Sequence, residues 1–322
     1  MTFRCCLLAA VIAVFAAGTG MVGPGGQTAH AAAASTTAGT TPSGVQVSSD
    51  VKHDTSPPLR TLKGVRQVAM PPREQRKHPH AGPPLPRDVD SSTPGTGSAS
   101  VAAMPSTTVN FEGLGDGFVG PSGTFTMTGA PSDSNGAVGP NHYFEIVNTS
   151  IGVFNKSGAA IYGPVATNTL FTGFGGLCET DNDGDGSVVY DQLADRWVVT
   201  QFAITGTSAT TPYLICIAVS TTGDPTGTYY RYSFQYTNFP DYPKLGVWPD
   251  GYYLAVNQFN SAGTVFLGPV VAALDRTRML NGMSATQQTV TLLTTYGSLL
   301  PATLDGRAAP PAGSPDYFAD LA

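Results

Sequence analysis

The stretch Glu179–Gln192, "ETDNDGDGSVVYDQ", sets Asp181, Asp183 and Asp185 at alternate positions and follows them with Gly186. Oxygen ligands at positions 1, 3 and 5 of a loop, with a glycine for the sharp turn, are how calcium loops gather a hard cation. An EF-hand closes with a bidentate Glu at position 12, where this chain has Gln192. The flanks also read as strand, not helix. The closing ligand must then be Glu179, Asp191 or a backbone carbonyl. Asp, Asn and Gly build ordinary polar turns as well, but three carboxylates within five residues repel one another unless something neutralises them. Asp181, Asp183, Asp185 and Asp191 are therefore the expected metal ligands, for Ca2+ in a structural role.

Cys178 precedes this loop, and Cys216 lies 38 residues further on. An even pair in an exported chain points to one disulfide, which stabilises by about 4 kcal/mol in the chain-entropy model. The alternative, a thiol nucleophile, suits an oxidising compartment poorly. A second polar stretch, "PSDSNGAVGPNH", holds Asp133, Asn135, Asn141 and His142. His142 is the one histidine after residue 106, so neither a Ser-His-Asp arrangement nor a multi-histidine zinc site has support. Asp133, Asp185 and Asp241 stand before or within the starts of successive units and could face one end of a channel. Paired acids across a sugar are the chemistry of glycoside hydrolysis, although seventeen Asp and Glu after residue 105 make some pair inevitable. Aromatics crowd Tyr229–Trp248, where they can stack on sugars or partners, or pack between sheets. Asp133, Asn135, His142, Asp241 and Trp248 are the candidate ligand contacts.

The elements that must position these residues begin with the chain's N-terminus. Arg4, the apolar run Cys5–Ala17 and the small-residue "AHAAAAS" have the form of a secretory signal peptide over 1–31; an uncleaved anchor is the alternative. No second long apolar segment follows, so no membrane span is expected after cleavage. Residues 32–106 are rich in Ala, Thr, Ser, Gly and Pro, include the basic piece Arg60–Asp88 and have almost no aromatics. A disordered linker is expected there. The net charge of −6 hides an asymmetry: residues 106–322 carry seven Lys and Arg against seventeen Asp and Glu. With no basic patch and interleaved aromatics, nucleic-acid binding is excluded as a reading.

From residue 107 to 322 the chain reads as all-β, in runs such as "YFEIVN", "RWVVTQFAI", "PYLICIAVS" and "YYLAVNQF" bounded by Gly, Pro, Asn or Asp. Only "VAALDRTRML" suggests a short helical turn. "AVGPNHYFEIVNTS" aligns with "GVWPDGYYLAVNQF", sharing Val138/Val247, Pro140/Pro249, Tyr143/Tyr252, Val147/Val256 and Asn148/Asn257, and "YDQLADRWVVTQF" is a looser copy between them. Tyr143, Trp197 and Tyr252 thus recur at steps of 54 and 55 residues. Four antiparallel strands per unit of about 50 residues describe a β-propeller blade; a β-sandwich with similar turns is the alternative. Three units do not close a ring, and "SPDYFADLA" looks like the start of another, so a piece of a longer propeller is expected.

The phrases "DSNGAVGPNHYFEIVN", "YDQLADRWVVTQFA", "PDYPKLGVWPDGYYLAVN" and "LPATLDG" resemble those of secreted bacterial proteins of uncharacterised function with propeller-like repeats. The resemblance covers about residues 107–322 and implies fold and export, not an activity. The Asp181–Gly186 loop is similar to the calcium loop of integrin-type blades, except that Val189 stands where that pattern has an acid. Sialidase-type propellers carry an S-x-D-x-G-x-T-W box and clustered arginines; this chain has no such box and five Arg after residue 106. The expectation is a secreted protein that recognises an extracellular carbohydrate or protein on a calcium-stabilised scaffold. A secreted glycoside hydrolase is the competing reading.

Overall fold

The structure is a computed structural model that describes residues 44–65, 106–127, 131–204, 213–306 and 308–320. The signal peptide expected over 1–31, and residues 32–43 and 66–105 of the expected linker, lie outside the described residues. Two strands come first, β1 (Gln46–Ser49) and β2 (Lys52–Thr55), and a small hairpin follows, β3 (Val119–Gly120) and β4 (Gly123–Thr124). Three antiparallel sheets form the body. The first contains β5 (Asn135–Val138), β6 (His142–Val147), β7 (Ser150–Asn155) and β8 (Ala160–Ala166). A short helix α1 (Leu177–Thr180) leads to the second, of β9 (Gly184–Asp191), β10 (Arg196–Ile204), β11 (Tyr213–Ser220) and β12 (Tyr229–Tyr236). The third has β13 (Phe239–Val247), β14 (Tyr252–Phe259), β15 (Phe266–Leu274) and, after helix α2 (Arg276–Leu280), β16 (Thr286–Thr291). A last pair, β17 (Leu300–Pro301) with β18 (Phe318–Ala319), lies against β13 and β14.

Each sheet is built from consecutive strands in sequence order, so local hairpins fix the pairing. The aligned phrases all fall on the hairpin between the first and second strands of a sheet. Alternation along β10 explains how the sheets stack. Trp197, Val199 and Ala203 pack with Phe144, Ile146 and Val153 of the first sheet, whereas Val198, Phe202 and Ile204 pack with Leu245, Leu254 and Val256 of the third. A strand buried on both faces loses the polar half of its period-2 pattern, which is why "RWVVTQFAI" reads as a nearly continuous apolar run. The first strands lie side by side, β5 on β9 and β9 on β13, while the outer strands of neighbouring sheets make no comparable contact. Sheets that touch at their first strands and splay outward are propeller-like, and the domain is all-β.

The expected linker requires a correction. Residues 46–65 are part of the fold: β1 pairs with β16 and β2 with β12, adding a fifth strand to the third and second sheets. The segment then reaches the first sheet, where Leu59 is 1% exposed and the Val65 carbonyl accepts from Ala166 N–H at 3.2 Å. A lack of aromatics argued against a core here, but an outer strand needs only a neighbour whose edge N–H and C=O groups lack partners. Ionic anchors do the rest. Asp54 takes Arg231 in a two-pronged pair at 2.7 and 2.8 Å, and that guanidinium also donates to the Leu170 and Thr172 carbonyls.

Candidate functional site

The first strands β5, β9 and β13 all enter from one end of the domain, and there each carries a residue in the left-handed region. These are Asp133 (φ 40°), Asp185 (φ 47°) and Tyr242 (φ 57°), and Ser298 (φ 52°) repeats the feature just before β17. Such a conformation is uncommon outside glycine, and Asp tolerates it better than most. At Asp185, Tyr242 and Ser298 the kinked residue's backbone N–H is received by a side chain of the neighbouring unit. Asn148, at the end of β6, accepts from Asp185 N–H at 3.0 Å and donates to the Asp133 carboxylate at 2.9 Å. Asp185 in turn accepts from Tyr242 N–H at 3.3 Å. Asn257 repeats the part played by Asn148, accepting from Ser298 N–H at 2.8 Å.

Three carboxylates and one amine converge on this end. Burial pushes the Asp185 carboxyl up to about 7, with Asp241 and Asp133 adding to the shift, while Lys244 and the Tyr242 N–H oppose it. Burial lowers the Lys244 ammonium, and the same three aspartates hold it up. Its Nζ sits 3.9 Å from the centre of the Tyr242 ring, a cation–π distance. A carboxyl pushed up to about 7 beside other carboxyls and a partly buried amine is an arrangement that functional sites use.

The expected residues divide between the two ends. Asp133, Asp185 and Asp241 come together here as their places in the units suggested. Asn135 stays nearby as a tie, its Oδ1 accepting from Val188 N–H at 2.7 Å to join β5 to β9. His142 opens β6, and Trp248 lies in the β13–β14 turn, so both are at the opposite end. Trp248 Nε1–H donates to the Ser314 carbonyl at 2.8 Å.

The expected calcium set does not assemble. Six steps of extended strand carry the chain from Asp185 to Asp191, a span of about 20 Å, so the two cannot share one ion. Asp191 is 0% exposed and fully engaged, by Arg276 at 2.7 and 3.0 Å, the Tyr252 hydroxyl at 2.9 Å, and the N–H groups of Leu193 and Ala194. Asp183 accepts from Ile204 N–H at 2.6 Å, and Asp181 from the Thr180 hydroxyl at 2.8 Å. Among the described residues, no three His, Cys, Asp or Glu side chains are arranged to hold a metal. The other staple is in place: Cys178 in α1 and Cys216 in β11 form a disulfide with Cα atoms 5.8 Å apart, tying the Asp-rich loop to the second sheet.

Sequence reading missed Lys244, Asn148 and Arg276, and took Tyr242 only as one of the aromatics that crowd Tyr229–Trp248. Asn148 did carry a signal, because it is one of the identities shared by the aligned phrases, and a polar residue kept at a strand end is suited to bridging units. Lys244 carried none, since a lone lysine in "YPKLG" looks solvated. No protein-family model, curated protein or solved structure matches this chain.

Proposed function

We propose that this chain is an exported recognition protein that binds a polyhydroxylated, carbohydrate-type ligand at the end of the domain where Asp133, Asp185, Asp241 and Lys244 meet. The convergence of these four groups from three successive first strands carries the reading. Carboxylates accept from sugar hydroxyls, and the lysine donates to ring and acetal oxygens. Export is supported by the signal-like N-terminus and by the Cys178–Cys216 disulfide, which belongs to oxidising compartments. No helix among the described residues is long and apolar enough to cross a membrane. A glycan array followed by saturation-transfer NMR tests the proposal. Binding should be lost in Asp241→Asn and Lys244→Met, and hits that persist unchanged in both variants refute it.

One observation favours a second reading, a glycoside hydrolase. Asp185 is raised to about 7 among other carboxyls, the pattern by which one acid keeps its proton while its neighbour stays ionised. A panel of chromogenic glycosides decides this. Turnover that disappears in Asp185→Asn makes the site catalytic, and no turnover on any substrate leaves recognition.

A further inference from the structure

A second cluster of oxygens lies at the opposite end of the domain. Asp316 precedes β18 and is 5% exposed, and neither of its carboxylate oxygens has a well-formed hydrogen bond; the adjacent Tyr317 N–H gives only a weak backbone contact. Asp250, in the β13–β14 turn, is its neighbour, near enough that both charges are felt at the Tyr253 hydroxyl. That hydroxyl reaches both Asp250 oxygens at 3.2 Å. No cation among the described residues pairs with Asp316. Arg276 approaches with a 3.3 Å bond to the Pro249 carbonyl, but its other nitrogens are committed to Asp191.

Burying a carboxylate without donors is among the most costly arrangements in a protein interior, and a second carboxylate beside it makes the arrangement worse. The groups that the structure connects to Asp316 are oxygen donors: the Asp250 carboxylate and the Tyr253 hydroxyl bonded to it. An all-oxygen set with two carboxylates suits a hard cation and not a thiophilic or imidazole-seeking one. We propose that Asp316 and Asp250 bind a divalent cation of the calcium type, which fastens residues 308–320 to the β13–β14 turn. With two carboxylates and the rest neutral oxygens or water, the affinity falls at about 10⁻⁴–10⁻³ M. The cluster is separate from the Asp133–Asp185–Asp241 end, so the two readings stand or fall independently.

The test is terbium luminescence on the full chain, excited through tryptophan, since Trp248 is bonded to the residue two before Asp316. Emission should rise on titration with Tb3+ and be displaced by Ca2+. Apparent affinity should weaken by at least about tenfold in Asp316→Asn and stay unchanged in Asp183→Asn. Asp250→Asn gives the same readout should Asp316→Asn fail to fold. Absence of sensitised emission, or equal affinity in the parent and in either variant at this cluster, overturns the proposal.

Discussion

Replacing Asp191 by alanine should be among the most damaging single changes in this protein, and its size can be worked out from the contacts. The carboxylate is fully buried and receives five donors, two of them from Arg276, whose own side chain is 12% exposed. Removing one member of a buried ion pair costs about 3–5 kcal/mol, because the other charge is left desolvated and alone. The Tyr252 hydroxyl, also buried, loses its acceptor, a further penalty of about 1–3 kcal/mol. Partial access of water to Arg276 relieves some of this, so about 4 kcal/mol is expected in all. Urea denaturation followed by tryptophan fluorescence measures it. The midpoint should fall with the slope unchanged, since no new surface is exposed in the unfolded state. Arg276→Ala should cost nearly as much, and the double variant much less than the sum. The reasoning fails if Asp191→Ala costs under about 1 kcal/mol. It fails equally if EDTA reproduces the loss in Asp316→Asn, where the proposed cation of the other cluster is already absent, because Asp191 would then be acting through a metal and not through Arg276.

Three further outcomes are expected. Asp54→Ala strands the Arg231 guanidinium, 2% exposed, with only two carbonyls; because Asp54 itself is about a third exposed, the cost is about 2–3 kcal/mol, and hydrogen exchange should accelerate across β2 and its partner β12 before it does in β10. Asp185 binds its proton more tightly in the folded chain than in the unfolded one, so its ionisation opposes folding. Its contribution is complete below the ordinary carboxylate value of 3.8 and is lost as pH rises to about 7; urea midpoints across that range should decline less steeply in Asp185→Asn, and an identical profile refutes the shift. Reducing Cys178–Cys216 should lower stability by about 4 kcal/mol, the entropy of a 38-residue closure, and mass mapping of the non-reduced protein should recover the two cysteines in one linked peptide pair.

The fold was legible where structure is local. The strands follow from β-branched and aromatic runs between turn residues, and the recurrence of Tyr143, Trp197 and Tyr252 marks the same hairpin in each sheet. Val271–Leu280 divided as its composition allows: β15 runs to Leu274, Asp275 caps the next turn by accepting from Arg278 N–H, and α2 follows. What composition could not show was pairing at long range. The sequence "QVSSDVKHDTS" has only Val47 and Val51 as apolar residues, both exposed, and only the vacant edges of β12 and β16, more than 170 residues away, make strands of it. The site divides the same way. Alternating aspartates suggested one ion because spacing was read as convergence, yet an extended strand carries Asp185 and Asp191 to opposite ends. Asp133, Asp185 and Asp241 were found by their shared place in the units, a property that survives folding.

The N-terminal strap also sets an order of events. Residues 46–65 leave the ribosome before the three sheets do, but β2 has nothing to pair with until Tyr229–Tyr236 is made, and β1 must wait for Thr286–Thr291. Closing loops of this length is slow and contributes nothing until both ends meet. The three sheets, by contrast, assemble from neighbouring hairpins and can form one after another. This early segment is therefore the last to dock, and the outer edges of the second and third sheets stay open until β12 and β16 have been made.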